Sequence, residues 1–140
     1  MAEFTAVALQ TVAAGGNVQF TEAPVCGGGC VVHRAGSGVI TMRGQTNQSR
    51  ALYKVTFGAN VAIPTGGTVA PISLALAIDG EALGSATMIT TPAAVEEFGN
   101  VFTAALIAVP CGCCAAIGVR NTGAEAINVQ NANIIVERVA

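Results

Sequence analysis

The chain has 140 residues, a formal net charge of -2 and six Lys and Arg residues in all. Those cations, Arg34, Arg43, Arg50, Lys54, Arg120 and Arg138, are scattered along the sequence. Phosphate-tracking surfaces need clustered cations, so no nucleic-acid partner is expected. Charged residues make up 10% and hydrophobic residues 52%, against a usual charged share of about 25%. A domain of this size has too much surface to leave it so poor in charge unless part of it is covered. One domain over 1–140, large enough for a real core, is the expectation from length. No apolar run reaches the roughly 18–20 residues of a helical membrane span. The longest, 101–114, is interrupted by Thr103, Pro110 and Gly112. Met1-Ala2-Glu3-Phe4 has no basic leader pattern, so synthesis and folding in a cytoplasm without export are expected, with no membrane partner.

Alternation with period two dominates the chain, and no helical pattern of ten or more residues fits. Phe4 to Thr11 alternates and reads as a first strand, with residues 1–10 open to a second reading as an arm that adds to a neighbouring molecule. A Gly-rich turn over Ala13 to Asn17 precedes a strand at Val18 to Thr21, and Pro24 with the glycines that follow marks a loop. Short strands are predicted at Val31 to Arg34 and Val39 to Arg43, and a long one over Ala51 to Val61. Ile72 to Ile78 leads through Asp79-Gly80 into Glu81 to Thr90. Asp-Gly between two strand-like runs is the signature of a type I′ hairpin, whose two central residues both need positive φ. Thr91 to Glu97 is open between one helical turn and a loop. Phe98 to Val109, Ala115 to Arg120 and Ile127 to Val139 complete about ten strands, the pattern of an antiparallel all-β sandwich or barrel.

Chemistry-bearing residues are few. Cys26, Cys30, Cys111, Cys113 and Cys114 are odd in number, so they cannot all pair within one chain. They leave open buried thiols, disulfides within or between chains, and a four-thiolate zinc site from Cys26, Cys30, Cys111 and Cys114. His33 is the only histidine, and a base needs a positioned partner that the sequence does not supply. Asp79 is explained by its turn. Glu96-Glu97 reads as a solvated loop, since a hard cation needs several convergent oxygens. No catalytic residue and no cofactor is expected.

Two strands are apolar on both faces. In 72–78, Ile72, Leu74, Leu76 and Ile78 form a core face, while Ser73, Ala75 and Ala77 occupy the side where a solvated sheet carries charge. In 98–109, Val101, Ala105, Ile107 and Val109 oppose Phe102, Ala104, Leu106 and Ala108. A two-layer sandwich buries one face of each strand, so the other face needs a second source of cover. Sister copies about a symmetry axis are the economical one. Ser73, Ala75, Ala77, Phe102, Ala104 and Leu106 are therefore the candidate interface residues.

Three segments carry a resemblance: Gly36 to Gly44 (GSGVITMRG), Ala62 to Glu81 (AIPTGGTVAPISLALAIDGE) and Val129 to Val136 (VQNANIIV). They resemble small proteins encoded in phages and prophages of clostridia and related gut Firmicutes, over most of residues 30–139. In pattern alone, the run of short strands ending in an apolar C-terminal strand resembles the jelly-roll heads of tumour-necrosis-factor and complement proteins, and the heads of exosporium collagen-like proteins. The resemblance implies a jelly-roll homotrimer with the C-terminal strand near the axis. It departs from those heads in having no Gly-x-y stalk and only six aromatic residues. The implied function is a virion structural protein, a trimeric decoration protein bound to the major capsid protein on the outside of a phage head. The alternatives are a host-surface-binding head, collar or tail-fibre module, and a spore-coat or exosporium protein.

Overall fold

A computed structural model describes residues 2–25, 31–34, 36–44, 50–110 and 114–139, the Arg50 side chain aside. The described residues form eleven strands: β1 (Ala2–Ala6), β2 (Gln10–Val12), β3 (Glu22–Val25), β4 (Val31–His33), β5 (Ile40–Arg43), β6 (Arg50–Ala62), β7 (Ile72–Ile78), β8 (Glu81–Thr90), β9 (Gly99–Pro110), β10 (Cys114–Asn121) and β11 (Ile127–Arg138). Sheet A runs β3-β1-β11-β6-β9, with β2 also on β11, and sheet B runs β4-β5-β10-β7-β8. All pairings are antiparallel. None of the described residues forms a helix, and no helix is long and apolar enough to cross a membrane. The architecture is a jelly-roll sandwich.

Alternation delivers the inner faces. Phe57 and Ile134 from sheet A and Ile40, Leu74, Leu76 and Ile117 from sheet B are fully buried between the layers. Tyr53 is buried with them and donates its hydroxyl to the Arg43 carbonyl at 2.7 Å, as a phenol in a core must. Phe20 meets Phe57 edge to face, with ring centroids 6.3 Å apart.

Three local differences from the sequence pattern have physical causes. The first predicted strand is interrupted rather than continuous. β1 and β2 lie along the same side of β11, separated where Asn131 adopts a φ of 55° and its N–H reaches the Val7 carbonyl. Residues 2–6 are thus a paired sheet strand, held by β11 on one side and β3 on the other. Val18 to Thr21 forms no ladder because it crosses between the layers. The N–H of Val18 bonds to Val119 in sheet B, that of Phe20 to Ser37, and that of Thr21 to Thr5 in sheet A. The stretch containing Pro24, expected as loop, is strand β3, and it lies at the edge of sheet A where a residue without an N–H loses no ladder bond.

The hairpin signal is met directly: Asp79 and Gly80 have φ of 51° and 86°. Asp79 also accepts the Ala116 N–H at 3.0 Å and donates its own N–H to the Ala116 carbonyl, tying the hairpin tip to β10. Residues 91–97 form no helical turn, and Glu96, at positive φ, bonds through its N–H to Ile63.

At one end of the sandwich a single buried amide joins two loops. Asn121 is fully buried, and its Nδ2 donates to the carbonyls of Val12, Ala13 and Glu125 while its Oδ1 accepts the Gly123 N–H. Removing a buried donor leaves its acceptors unsatisfied, at about 1–3 kcal/mol each. Asn121→Ala is expected to lower stability by about 3 kcal/mol. Urea unfolding should show an earlier midpoint with an unchanged slope, and an unaltered midpoint would contradict this role.

Candidate oligomer interface

The small-residue side of β7 does not face solvent. Ala75 and Ala77 are 0% and 4% exposed within the single chain. Their partners in β10 are Arg120 and Gly118. Arg120 donates to the Gly80 carbonyl at 3.2 Å, which carries its side chain along the sheet towards the β7–β8 turn. At Gly118 a Cβ would stand 2.7 Å from the Gly38 carbonyl oxygen and 3.4 Å from the Asn17 amide. The chain's own segments therefore lie directly on this face, and glycine and alanine are there to admit them. Ser73 is half-buried, and its hydroxyl bonds to that of Thr122 at 2.6 Å. The expectation that sister copies cover Ala75 and Ala77 is corrected accordingly: a side chain already hidden has almost no surface left to give a partner.

The other candidates behave differently. Phe102 and Leu106 are 63% and 64% exposed, and Ala104 between them is exposed as well. All three lie on the outer face of β9, an edge strand of sheet A. In β6 they stand opposite Gly58, Thr56 and Lys54. Beyond these in β11 come Asn133, Ile135 and Glu137. The Phe102 ring leans towards Gly58, where a Cβ would meet it at 3.7 Å and the Asn133 side chain at 3.4 Å. A hollow lined by Lys54, Ala104, Ala105 and Leu106 lies alongside. None of the described residues covers this stripe.

A polar row crosses sheet A beside the apolar stripe, built of neutral amides rather than of titratable groups. Asn100, Asn60 and Asn131 are linked through their side-chain amides across β9, β6 and β11, with 3.3 Å at both links. Asn133 donates to the Glu3 carboxylate at 3.2 Å. These residues come from distant parts of the chain. The useful signal in the sequence is the clustering of Asn and Gln over 128–133, in a strand whose other residues are mostly Val and Ile.

Among the described residues no three His, Cys, Asp or Glu side chains converge as a metal site. Cys26, Cys30, Cys111 and Cys113 lie outside the described residues, so the zinc and disulfide readings fall there. Cys114 is exposed at the start of β10, opposite Arg43. His33 accounts for itself structurally. Its Nε2 is 2.9 Å from the Ser37 carbonyl, which makes that nitrogen the donor, and its ring packs on Phe4 at 4.5 Å between centroids.

No protein-family model matches the sequence, and no curated protein is similar to it. Solved structures are. Eiger TNF from S. frugiperda superposes with a TM-score of 0.71 at 15% identity, covering 99% of this chain and 91% of that one. The globular domain of zebrafish complement 1qA protein gives 0.66 at 11%, covering 96% and 94%. Murine APRIL gives 0.60 at 11%, covering 95% and 97%. The fold is therefore that of the tumour-necrosis-factor and complement 1q jelly rolls, from end to end of the domain. At these identities the likeness extends to the fold alone.

If the stripe is surface rather than core, the double substitution Phe102→Ser with Leu106→Ser should leave the single chain's stability within about 0.5 kcal/mol. Self-association should weaken in the same variant. A large loss of stability measured on the dilute chain would show that these side chains serve the fold.

Proposed function

We propose that this protein is a non-catalytic structural head that works as a homotrimer, with the outer face of sheet A as the surface that joins the copies. The observation that carries this reading is the stripe of Phe102, Ala104 and Leu106, which no described residue covers, while Ala75 and Ala77 on sheet B are buried within the chain. Soluble monomers seldom leave contiguous apolar faces to water, and closed symmetric assemblies are the usual cover. The scarcity of charge supports it too. An edge strand with a bare apolar face is a hazard in a free monomer and a ready surface in an assembly.

The setting we propose is a phage virion, with the trimer decorating the outer capsid surface by binding the major capsid protein. The resemblance of Gly36 to Gly44, Ala62 to Glu81 and Val129 to Val136 to phage- and prophage-encoded proteins supports that setting. A low-charge, compact sandwich suits permanent packing on a shell. Residues 2–6 are engaged as β1 within the sheet, so capsid contact falls to a formed surface of the sandwich rather than to a free arm.

Light scattering on the purified chain is expected to report a mass near three times 13.9 kDa, and mixing with empty capsids should carry the protein into the capsid pellet. A particle of single-chain mass at micromolar concentration would remove the trimer. An assembled protein left in the supernatant would remove the capsid partner while leaving the trimer intact.

A further inference from the structure

The carboxamide row on sheet A has a direction, and a backbone group fixes it. Asn100 Nδ2 lies 3.3 Å from the Ala59 carbonyl oxygen, which can only accept. That bond settles which end of the Asn100 amide is nitrogen. The same Nδ2 donates to Asn60 Oδ1 at 3.3 Å, which turns Asn60 Nδ2 towards Asn131 Oδ1, again at 3.3 Å. The order donor to acceptor therefore runs from β9 through β6 to β11 without ambiguity.

Such a chain ends in two unlike groups. At the β9 end, Asn100 Oδ1 is an acceptor. At the β11 end, Asn131 Nδ2 is a donor. Neither has a partner among the described residues, and both side chains are exposed. Asn131 is held outward by the irregularity in β11, where pairing with β6 slips between Gln130 and Asn133 and the backbone takes its positive φ. Asn100 is two residues from Phe102 on the same face of β9, so the acceptor end borders the apolar stripe, and the donor end lies two strands away on β11.

We infer that Asn131 of one copy donates to Asn100 of the next, and that this contact sets the register in which the copies join. The inference rests on the self-association reading of sheet A. The occupant is a second copy because the chain carries both halves of the match, next to the apolar face that association would cover. At the border of a dry contact, a register that sets acceptor against acceptor or leaves the amides unpaired is penalised by their desolvation. The stripe of Phe and Leu supplies attraction without direction, and the amides supply the direction. In an assembly of three, the contact recurs once per interface and closes the ring.

Asn131→Asp tests this cleanly. Aspartate tolerates the left-handed backbone much as asparagine does, and its carboxylate still accepts from Asn60, so the internal row survives. Only the outward donor is lost. The full-length variant is expected to keep the wild-type melting behaviour when dilute and to raise the dissociation constant of the assembly by about tenfold or more, the factor for one polar contact turned repulsive. A photo-crosslinking side chain at position 131, in a sample mixing heavy- and light-isotope chains, should capture the 98–103 region of a different copy. An assembled wild type with Asn131→Asp associating equally well would overturn the inference alone, as would capture of residue 131 by residue 131. A wild type that never assembles would overturn the self-association reading as well, whether or not an added saccharide or foreign protein occupies the face.

Discussion

The constraint on which this structure turns is that a charge-poor β-sandwich must hide both sides of its strands, while two layers hide only one. Over β7 and β10, sheet B meets the constraint internally. Arg120 reaches from β10 to the Gly80 carbonyl, and the segments around Asn17 and Gly38 lie against Gly118. Among the described residues sheet A has no such cover over β9 and β6, where Phe102 and Leu106 stand open. The asymmetry between the two sheets turns a general shortage of charge into one particular surface.

How much of this could be seen in the sequence depended on which physical signal was local. The hairpin at Asp79-Gly80 was legible because its demand for positive φ falls on two adjacent residues. The long strands were legible because a core face repeats every second residue, and β7 and β8 occupy the positions that pattern predicts. Pro24 misled because proline's effect depends on whether its strand is central or at an edge, which is a property of the sheet and not of the tetrapeptide. Residues 18–21 misled because an alternating segment that crosses between layers is indistinguishable, in sequence, from one lying in a ladder.

The interface candidates divide for a related reason. Composition identified that both faces of β7 and β9 are apolar, but not what covers them. On β7 the small residues proved to be seats for the chain's own backbone, a use that requires knowing that Gly118 and Ala77 are neighbours. On β9 the large residues Phe102 and Leu106 are too bulky to admit a close backbone, and they remain outside. On these two strands residue size separates the cases: Ala75 and Ala77 seat the chain's own segments, whereas Phe102 and Leu106 stay exposed. The amide row was invisible in the sequence because Asn60, Asn100 and Asn131 are brought together only by the β9-β6-β11 order.

The proposed reading is of a head that works by contact rather than by reaction. Its lone histidine is held by a backbone carbonyl and by the Phe4 ring, and its buried polar side chain, Asn121, is saturated by loop backbone. The most direct test is hydroxyl-radical footprinting of the protein across a dilution series, read side chain by side chain. The account predicts that Phe102 and Leu106 are shielded at high concentration and become reactive on dilution, while exposed Ile89 on sheet B reacts equally throughout. Constant reactivity of Phe102 and Leu106 at every concentration would contradict it.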